Sequence, residues 1–179
     1  MEKLFLHMCC GPCALGSVPA FRQEGFAPSG YYYNPNIHPW REYEKRWRTL
    51  KEVSDFLNFT LLPPGEYNYA NHLLPALAGS NRCENCYHLR LYETARKAKE
   101  HDFAFFSTTL LISPYQDQEK ILKIGQAAGD EYGVKFIFKD LRPFFRTAQT
   151  QAKEKQFYRQ GYCGCIFSEV ERYSKKGLV

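Results

Sequence analysis

Apolar positions along the chain follow two different periods. Short apolar runs occur at LFLHM (4–8), GYYYN (30–34), FTLLP (59–63), FAFFSTTLL (103–111) and VKFIFKD (134–140), and each predicts a buried strand. Between them the apolar residues recur at steps of three and four. PCALGSVPAFRQEG (12–25) predicts a helix opened by Pro12, a favourable first-turn residue. HPWREYEKRWRTLKEVSDFL (38–57) gives the clearest helical pattern, with Trp40, Tyr43, Trp47, Leu50, Val53 and Leu57 on one stripe. Further helices are expected over 84–102, beginning inside a Cys-x-x-Cys pair, and over 113–133, with Ser113 as cap and Pro114 in the first turn. From Arg146 the tail reads as helical, breaks between Gly161 and Gly164, and resumes. Strand and helix alternate four or five times. That order predicts a single α/β domain with a mostly parallel sheet flanked by helices in Rossmann-like layers. Ligands of such sheets gather at the carboxyl ends of the strands, and the Cys9–Cys13 turn follows the first strand directly. A metal site is therefore expected at that end.

Composition narrows the class. With 179 residues and 44% hydrophobic residues, one domain over 1–179 can bury a core. No repeat, low-complexity tract or Gly/Ser linker divides it. MEKLFLHM is too short and polar for a secretory signal, and no run of about 18 apolar residues can span a membrane. A cytoplasmic protein is expected. The net charge of +5 permits a nucleic-acid partner without requiring one. Aromatic residues make up 16%, which suits either a dense core or a surface that stacks bases.

The cysteines change the picture most. Seven are present, in three groups: Cys9, Cys10 and Cys13; Cys83 and Cys86; Cys163 and Cys165. Inert core thiols have no reason to come in close pairs. In a reducing compartment such groups point to metal ligation or redox catalysis. Three readings compete. Cys10-Gly11-Pro12-Cys13 has the thioredoxin spacing in the strand-to-helix setting that activates a thiol, but Met8 stands where a Trp is expected and five cysteines are left over. Zinc held by Cys10, Cys13, Cys83 and Cys86 suits thiolate chemistry, yet the gap between the pairs far exceeds that of a compact finger. An iron–sulfur cluster accepts four thiolates from two distant places. Gly164 lets the backbone turn sharply between Cys163 and Cys165, so that these two thiols face each other or one site. A dithiol releases two electrons, whereas a cluster passes one at a time; together they suit a two-electron reduction.

Five stretches carry a resemblance: HMCCGPC (7–13), YYYNPNIHPWREYEKR (31–46), NRCENCYHLRL (81–91), TTLLISPYQD (108–117) and FRTA with FYRQGYCGCIFSE (145–169). In this order they resemble the cobalamin-independent epoxyqueuosine reductases of the QueH family, over nearly the full length. The resemblance implies reductive loss of the epoxide oxygen of epoxyqueuosine, giving queuosine at the wobble position of tRNA, the last step of queuosine synthesis. It implies a [4Fe–4S] cluster on Cys9, Cys10, Cys83 and Cys86, and a redox-active pair, Cys163 and Cys165. Cys13 has no settled place; it is either an alternative cluster ligand or a ligand of a second iron ion. Partners implied are the tRNA anticodon loop and an unidentified electron donor.

Epoxide opening also needs an acid for the departing oxygen. His7, His38, Tyr115 and Glu84 are candidates, while His88 reads as an ordinary helix residue. Phosphate contacts are expected from Arg41, Lys45, Arg46, Arg48 and Lys51 on helix 40–57, and from Arg142, Arg146, Lys153, Lys155 and Arg159. Tyr31–Tyr33 read as strand core or as a stacking platform. Two other classes fit the residues: a zinc-stabilised tRNA-binding module and a thiol–disulfide oxidoreductase.

Overall fold

The structure, a computed structural model, describes residues 1–79 and 81–174. In chain order its elements are β1 (Glu2–His7), α1 (Gly11–Gln23), β2 (Phe26–Tyr31), α2 (Trp40–Leu57), α3 (Ala70–Ala78), α4 (Arg82–Glu100), β3 (Phe105–Thr108), α5 (Gln118–Tyr132), β4 (Lys135–Phe136), α6 (Phe145–Glu154) and α7 (Ile166–Tyr173). Two short 3-10 turns occupy Thr109–Ile112 and Arg142–Phe144. The strands form one parallel sheet in the order β2-β1-β3-β4. This is the α/β layer fold that the alternating pattern predicts.

The central strand explains itself. Leu4, Phe5 and Leu6 are fully buried, as a strand covered on both faces requires. The first helix packs with α2 and α6, while α4 packs with α3 and α5. A side chain at Gly16 would set its Cβ 2.4 Å from Ile112 Cδ1 and 3.2 Å from Ala148 Cβ, so the close approach of α1 to α6 depends on this glycine. The chain leaves β1 in one direction to build β2 and returns to its other side for β3. Such a switch point opens a crevice at the carboxyl ends of neighbouring strands.

Several expected boundaries move. GYYYN is not the second strand: β2 runs earlier, over Phe26–Tyr31, and tolerates Pro28 because one of its edges is little paired. Tyr31, Tyr32 and Tyr33 are buried core, not a platform. FTLLP contributes one bridge, Gly30 to Leu61, in place of a strand. FAFFSTTLL ends its strand at Thr108, whose hydroxyl accepts a hydrogen bond from the Leu110 amide and starts a 3-10 turn. The fifth helix begins at Gln118, with Asp117 accepting from the Lys120 amide, and Ser113 only closes a local turn on the Tyr115 amide. Trp40, expected on the buried stripe of α2, is 54% exposed and stacks on Tyr43. The short helix α3, interrupted by Pro75, has no clear periodic signal.

Candidate metal and thiol site

Three strand ends converge on the cysteine turn. After β1 the chain presents Cys9 and then Cys10, whose extended backbone caps α1, with Pro12 in the first turn. Asn34, just beyond β2, donates from Nδ2 to the Met8 carbonyl at 2.8 Å. Thr109, just beyond β3, holds Cys9 twice: its hydroxyl oxygen accepts from the Cys9 amide at 3.0 Å and its hydroxyl donates to Cys9 Sγ at 3.3 Å. The sulfurs of Cys9, Cys10 and Cys13 lie within 4.8 Å of one another. Among the described residues this is the tight group of metal-ligating side chains.

The three thiols shift one another in opposite directions. Burial pushes the Cys10 thiol up, but hydrogen bonds from Cys13 and Cys9 and the charge of Arg46 outweigh it and hold Cys10 well below the usual thiol range. Gln160 adds an amide donor, Nε2 to Cys10 Sγ at 2.9 Å. Cys9, donating to Cys10, is pushed up to about 11, and Cys13 is raised for the same reason. Three thiols this close make a nascent metal site, because a cation displaces thiol protons.

Thr109→Val tests the brace. It keeps the shape, deletes the hydroxyl and leaves the Cys9 amide unpaired, at an expected cost of about 1–3 kcal/mol in urea unfolding. Unchanged stability would show that the amide finds another acceptor.

The other cysteines approach from two sides. Cys83 and Cys86 occupy the first turn of α4, three residues apart on one face, with Cys83 exposed and Cys86 buried. They are not within the tight Cys9/Cys10/Cys13 group. Burial pushes Cys86 up to about 12, and the nearby Cys163, Cys165 and Cys83 thiols push the same way while Arg90 opposes them. Cys163 is exposed as a residue but sets its sulfur into a cavity wall, where desolvation raises its pKa and Arg90 and the Gln116 amide, 3.6 Å away, pull it down. Cys165 is buried and caps α7, accepting from the Ser168 amide at 3.4 Å. Gly164 between them has φ +142°, and a Cβ there would meet Ile37 and Arg46 at 3.0 and 3.1 Å. The sharp turn expected from the sequence is present and needs glycine.

A cavity of about 490 Å³ opens over this site, with Cys9, Cys13 and Cys163 in its wall. That volume is within the range of small-ligand sites. Arg46 and Arg90 also line it. Arg46 was expected on a phosphate-binding face. It is instead 1% exposed, paired with Glu42 at 2.7 Å, and donates to the carbonyls of Cys163 and Tyr162 at 2.8 and 3.1 Å. It thereby fixes the third cysteine loop against α2.

Among the candidate acids only Tyr115 reaches the cavity. It is 84% exposed at the rim, edge-on to Phe145. His7 is buried with both ring nitrogens engaged: Nε2 donates to the Tyr33 carbonyl at 3.0 Å and Nδ1 accepts from Thr108 at 2.9 Å. Desolvation lowers its pKa to about 4, so it is a neutral structural tie between strands. His38 accepts at Nδ1 from the Ile166 amide at 3.4 Å and faces His72. Glu84 pairs with Lys120 at 3.7 Å, away from the cavity wall. His88 is exposed and stacks on Tyr92.

Sequence reasoning missed Thr109, Gln116, Gln160 and Arg90. Three of these lie inside or beside a cysteine motif or SPYQD. Arg90 follows Cys86 by one helical turn, which was the available signal.

The comparisons with known proteins concern the family and the fold. The family model described as epoxyqueuosine reductase QueH matches residues 4–171. A protein of Dehalococcoides mccartyi named epoxyqueuosine reductase QueH is 37% identical over 174 residues, covering 97% of this chain and 96% of its own. One of the same name from Thermotoga maritima is 36% identical over 190 residues, covering 100% and 96%. Among solved structures, the U34-tRNA thiolase NcsA from Methanococcus maripaludis with its [4Fe-4S] cluster has a TM-score of 0.58 at 14% identity, over 97% of this chain and 62% of that one. At that identity the likeness concerns the fold alone. No helix among the described residues is long and apolar enough to cross a membrane. With its model match and full-length relatives, the chain belongs to the epoxyqueuosine reductase QueH family of oxidoreductases.

Proposed function

We propose that this chain reduces epoxyqueuosine to queuosine in tRNA, in the cavity over Cys9, Cys13 and Cys163. The observation that carries the reading is the placement of two cysteine motifs on one cavity wall beside a third, in a member of this family. The balance is simple: both epoxide C–O bonds break, a C=C bond forms, two electrons and two protons enter, and the oxygen leaves as water.

The donor set suits a [4Fe–4S] cluster: soft thiol ligands, of which Cys9 and Cys10 are gathered with Cys13 within 4.8 Å, beside the Gln160 amide donor. Cys9, Cys10, Cys83 and Cys86 are the proposed ligands. Cys13 is either the alternative to Cys9 or a ligand of a second iron ion. When bound, the cluster supplies electrons one at a time from an external donor. The chain does the rest. Cys163 and Cys165 are the proposed dithiol, with Gln116 holding Cys163 toward the cavity. The cavity admits one nucleoside at the crevice, and a reducing cytoplasm keeps the thiols available.

Recognition would use exposed basic residues and one exposed aromatic. Arg41, Lys45, Arg48, Lys51, Arg142, Arg146, Lys153, Lys155 and Arg159 are exposed and are proposed to meet phosphates, with binding that weakens steeply with salt. Tyr115 is proposed to stack on an unpaired base of the anticodon loop, with Phe145 supporting its edge. Tyr115→Ala should raise KM for the tRNA about tenfold or more with kcat largely kept, since one stacked base is worth about 1–3 kcal/mol. Tyr115→Phe should behave as the parent; a kcat collapse in it would make Tyr115 the acid instead.

Family membership favours this reading over a zinc-stabilised binding module and a thiol–disulfide oxidoreductase. The test is anaerobic incubation with epoxyqueuosine-containing tRNA and a strong reductant, followed by nucleoside mass analysis. A product lighter by one oxygen is expected. Unchanged nucleoside under these conditions would contradict it.

A further inference from the structure

Arg90 on α4 is 2% exposed and lines the cavity. Its Nε donates to the Cys86 carbonyl at 3.2 Å, and its guanidinium stands 6.0 Å from the Tyr87 ring centre. Its side chain makes no other hydrogen bond and no ion pair among the described residues, and its carbonyl accepts from the Thr94 hydroxyl at 2.6 Å. This is unusual, because a permanent cation is rarely buried without a carboxylate to offset its desolvation. The second buried arginine, Arg46, shows the ordinary solution, with Glu42 at 2.7 Å. The wall that Arg90 shares carries instead Cys9, Cys13 and Cys163, and its acidic member, Glu171, is paired with Arg82 at 2.7 Å. A thiol carries charge only after losing a proton. The fold therefore holds a fixed cation in the cavity wall, beside the Cys86 turn, with no carboxylate of its own among the described residues.

We propose that Arg90 is the counter-charge of the metal–thiolate centre and sets its reduction potential. The inference rests on the cluster reading of the cysteines. A cubane held by four thiolates is anionic, and it gains a further negative charge on reduction. A fixed guanidinium in a low-dielectric wall favours the more negative form, so it makes the centre easier to reduce. It also makes the metal-free protein carry an uncompensated charge, so that loading the anionic centre relieves it.

Arg90→Met, Arg90→Gln and Arg90→Lys of the full chain, purified without oxygen, test this with two readouts. The first is the midpoint potential, titrated through the visible absorbance. The neutral variants should be at least tenfold harder to reduce, which is about 59 mV more negative for a one-electron couple. Arg90→Lys should remain within about threefold of the parent. The second is the melting temperature of the metal-free protein, in which Arg90→Met should melt at or above the parent because an unpaired buried charge is gone. Neutral variants that fold but retain no cluster, while Arg90→Lys retains it, would also support the proposal, since retention then follows charge. A parental potential in loaded Arg90→Met overturns it, as does a metal-free Arg90→Met that melts lower. A parent chain that binds no cluster would defeat the cluster reading instead, and the metal-free melt would still decide whether Arg90 is an uncompensated cation.

Discussion

Cys83→Ser is expected to yield a folded protein that holds no iron–sulfur centre and reduces no epoxyqueuosine. The position makes the result interpretable. Cys83 is exposed in the first turn of α4, so exchanging sulfur for oxygen there removes no core packing. Surface substitutions ordinarily move stability by less than about 0.5 kcal/mol. A serine hydroxyl is a poor ligand for a site built of soft thiolates. Loss of activity by about a thousandfold or more, the scale of losing an essential group, together with loss of iron and visible absorbance, would mark Cys83 as a ligand. A variant with full absorbance removes Cys83 from the ligand set. Cys13, already beside Cys9 and Cys10, would then be the stronger candidate.

The second large effect separates electron delivery from metal binding. Cys163→Ser should keep the iron and its absorbance but lose turnover by a similar factor. Cys163 faces the cavity; desolvation raises its pKa, and the Arg90 charge and an amide donor from Gln116 pull against that rise. Its backbone is clamped independently of its sulfur, because Arg46 donates to its carbonyl and Gly164 makes the turn. Serine therefore keeps the loop and removes only the redox atom. Normal activity in Cys163→Ser would exclude the dithiol and leave the external donor to supply both electrons. Loss of iron from it would move Cys163 into the ligand set.

Much of this arrangement is legible in the sequence because local rules and the global fold agree. The run LFLHM reads as a buried strand because it is apolar but for His7, and all five residues are buried. The turn at Cys9–Cys13 reads as a strand-to-helix junction because Pro12 suits a first turn. What stays hidden depends on distant partners. Nothing local shows that Arg46 turns inward, since it sits among solvated cations; only Glu42 one turn before it and a loop more than a hundred residues away draw it in. Ser113-Pro114 imitates a helix start, and Asp117 wins because its carboxylate reaches the Lys120 amide. Tyr31–Tyr33 continue an apolar run past the end of β2, so burial alone could not mark where pairing stops. The convergence of Thr109, Gln116 and Gln160 on sulfur atoms needs the sheet order, which no spacing discloses.

The most direct measurement is iron, sulfide and zinc analysis of the full chain purified without oxygen, with its visible spectrum. The reading given above predicts a brown protein with about four iron and four sulfide per chain, and iron beyond four would place a second ion on the spare thiols. A colourless protein carrying one zinc and no sulfide would contradict it.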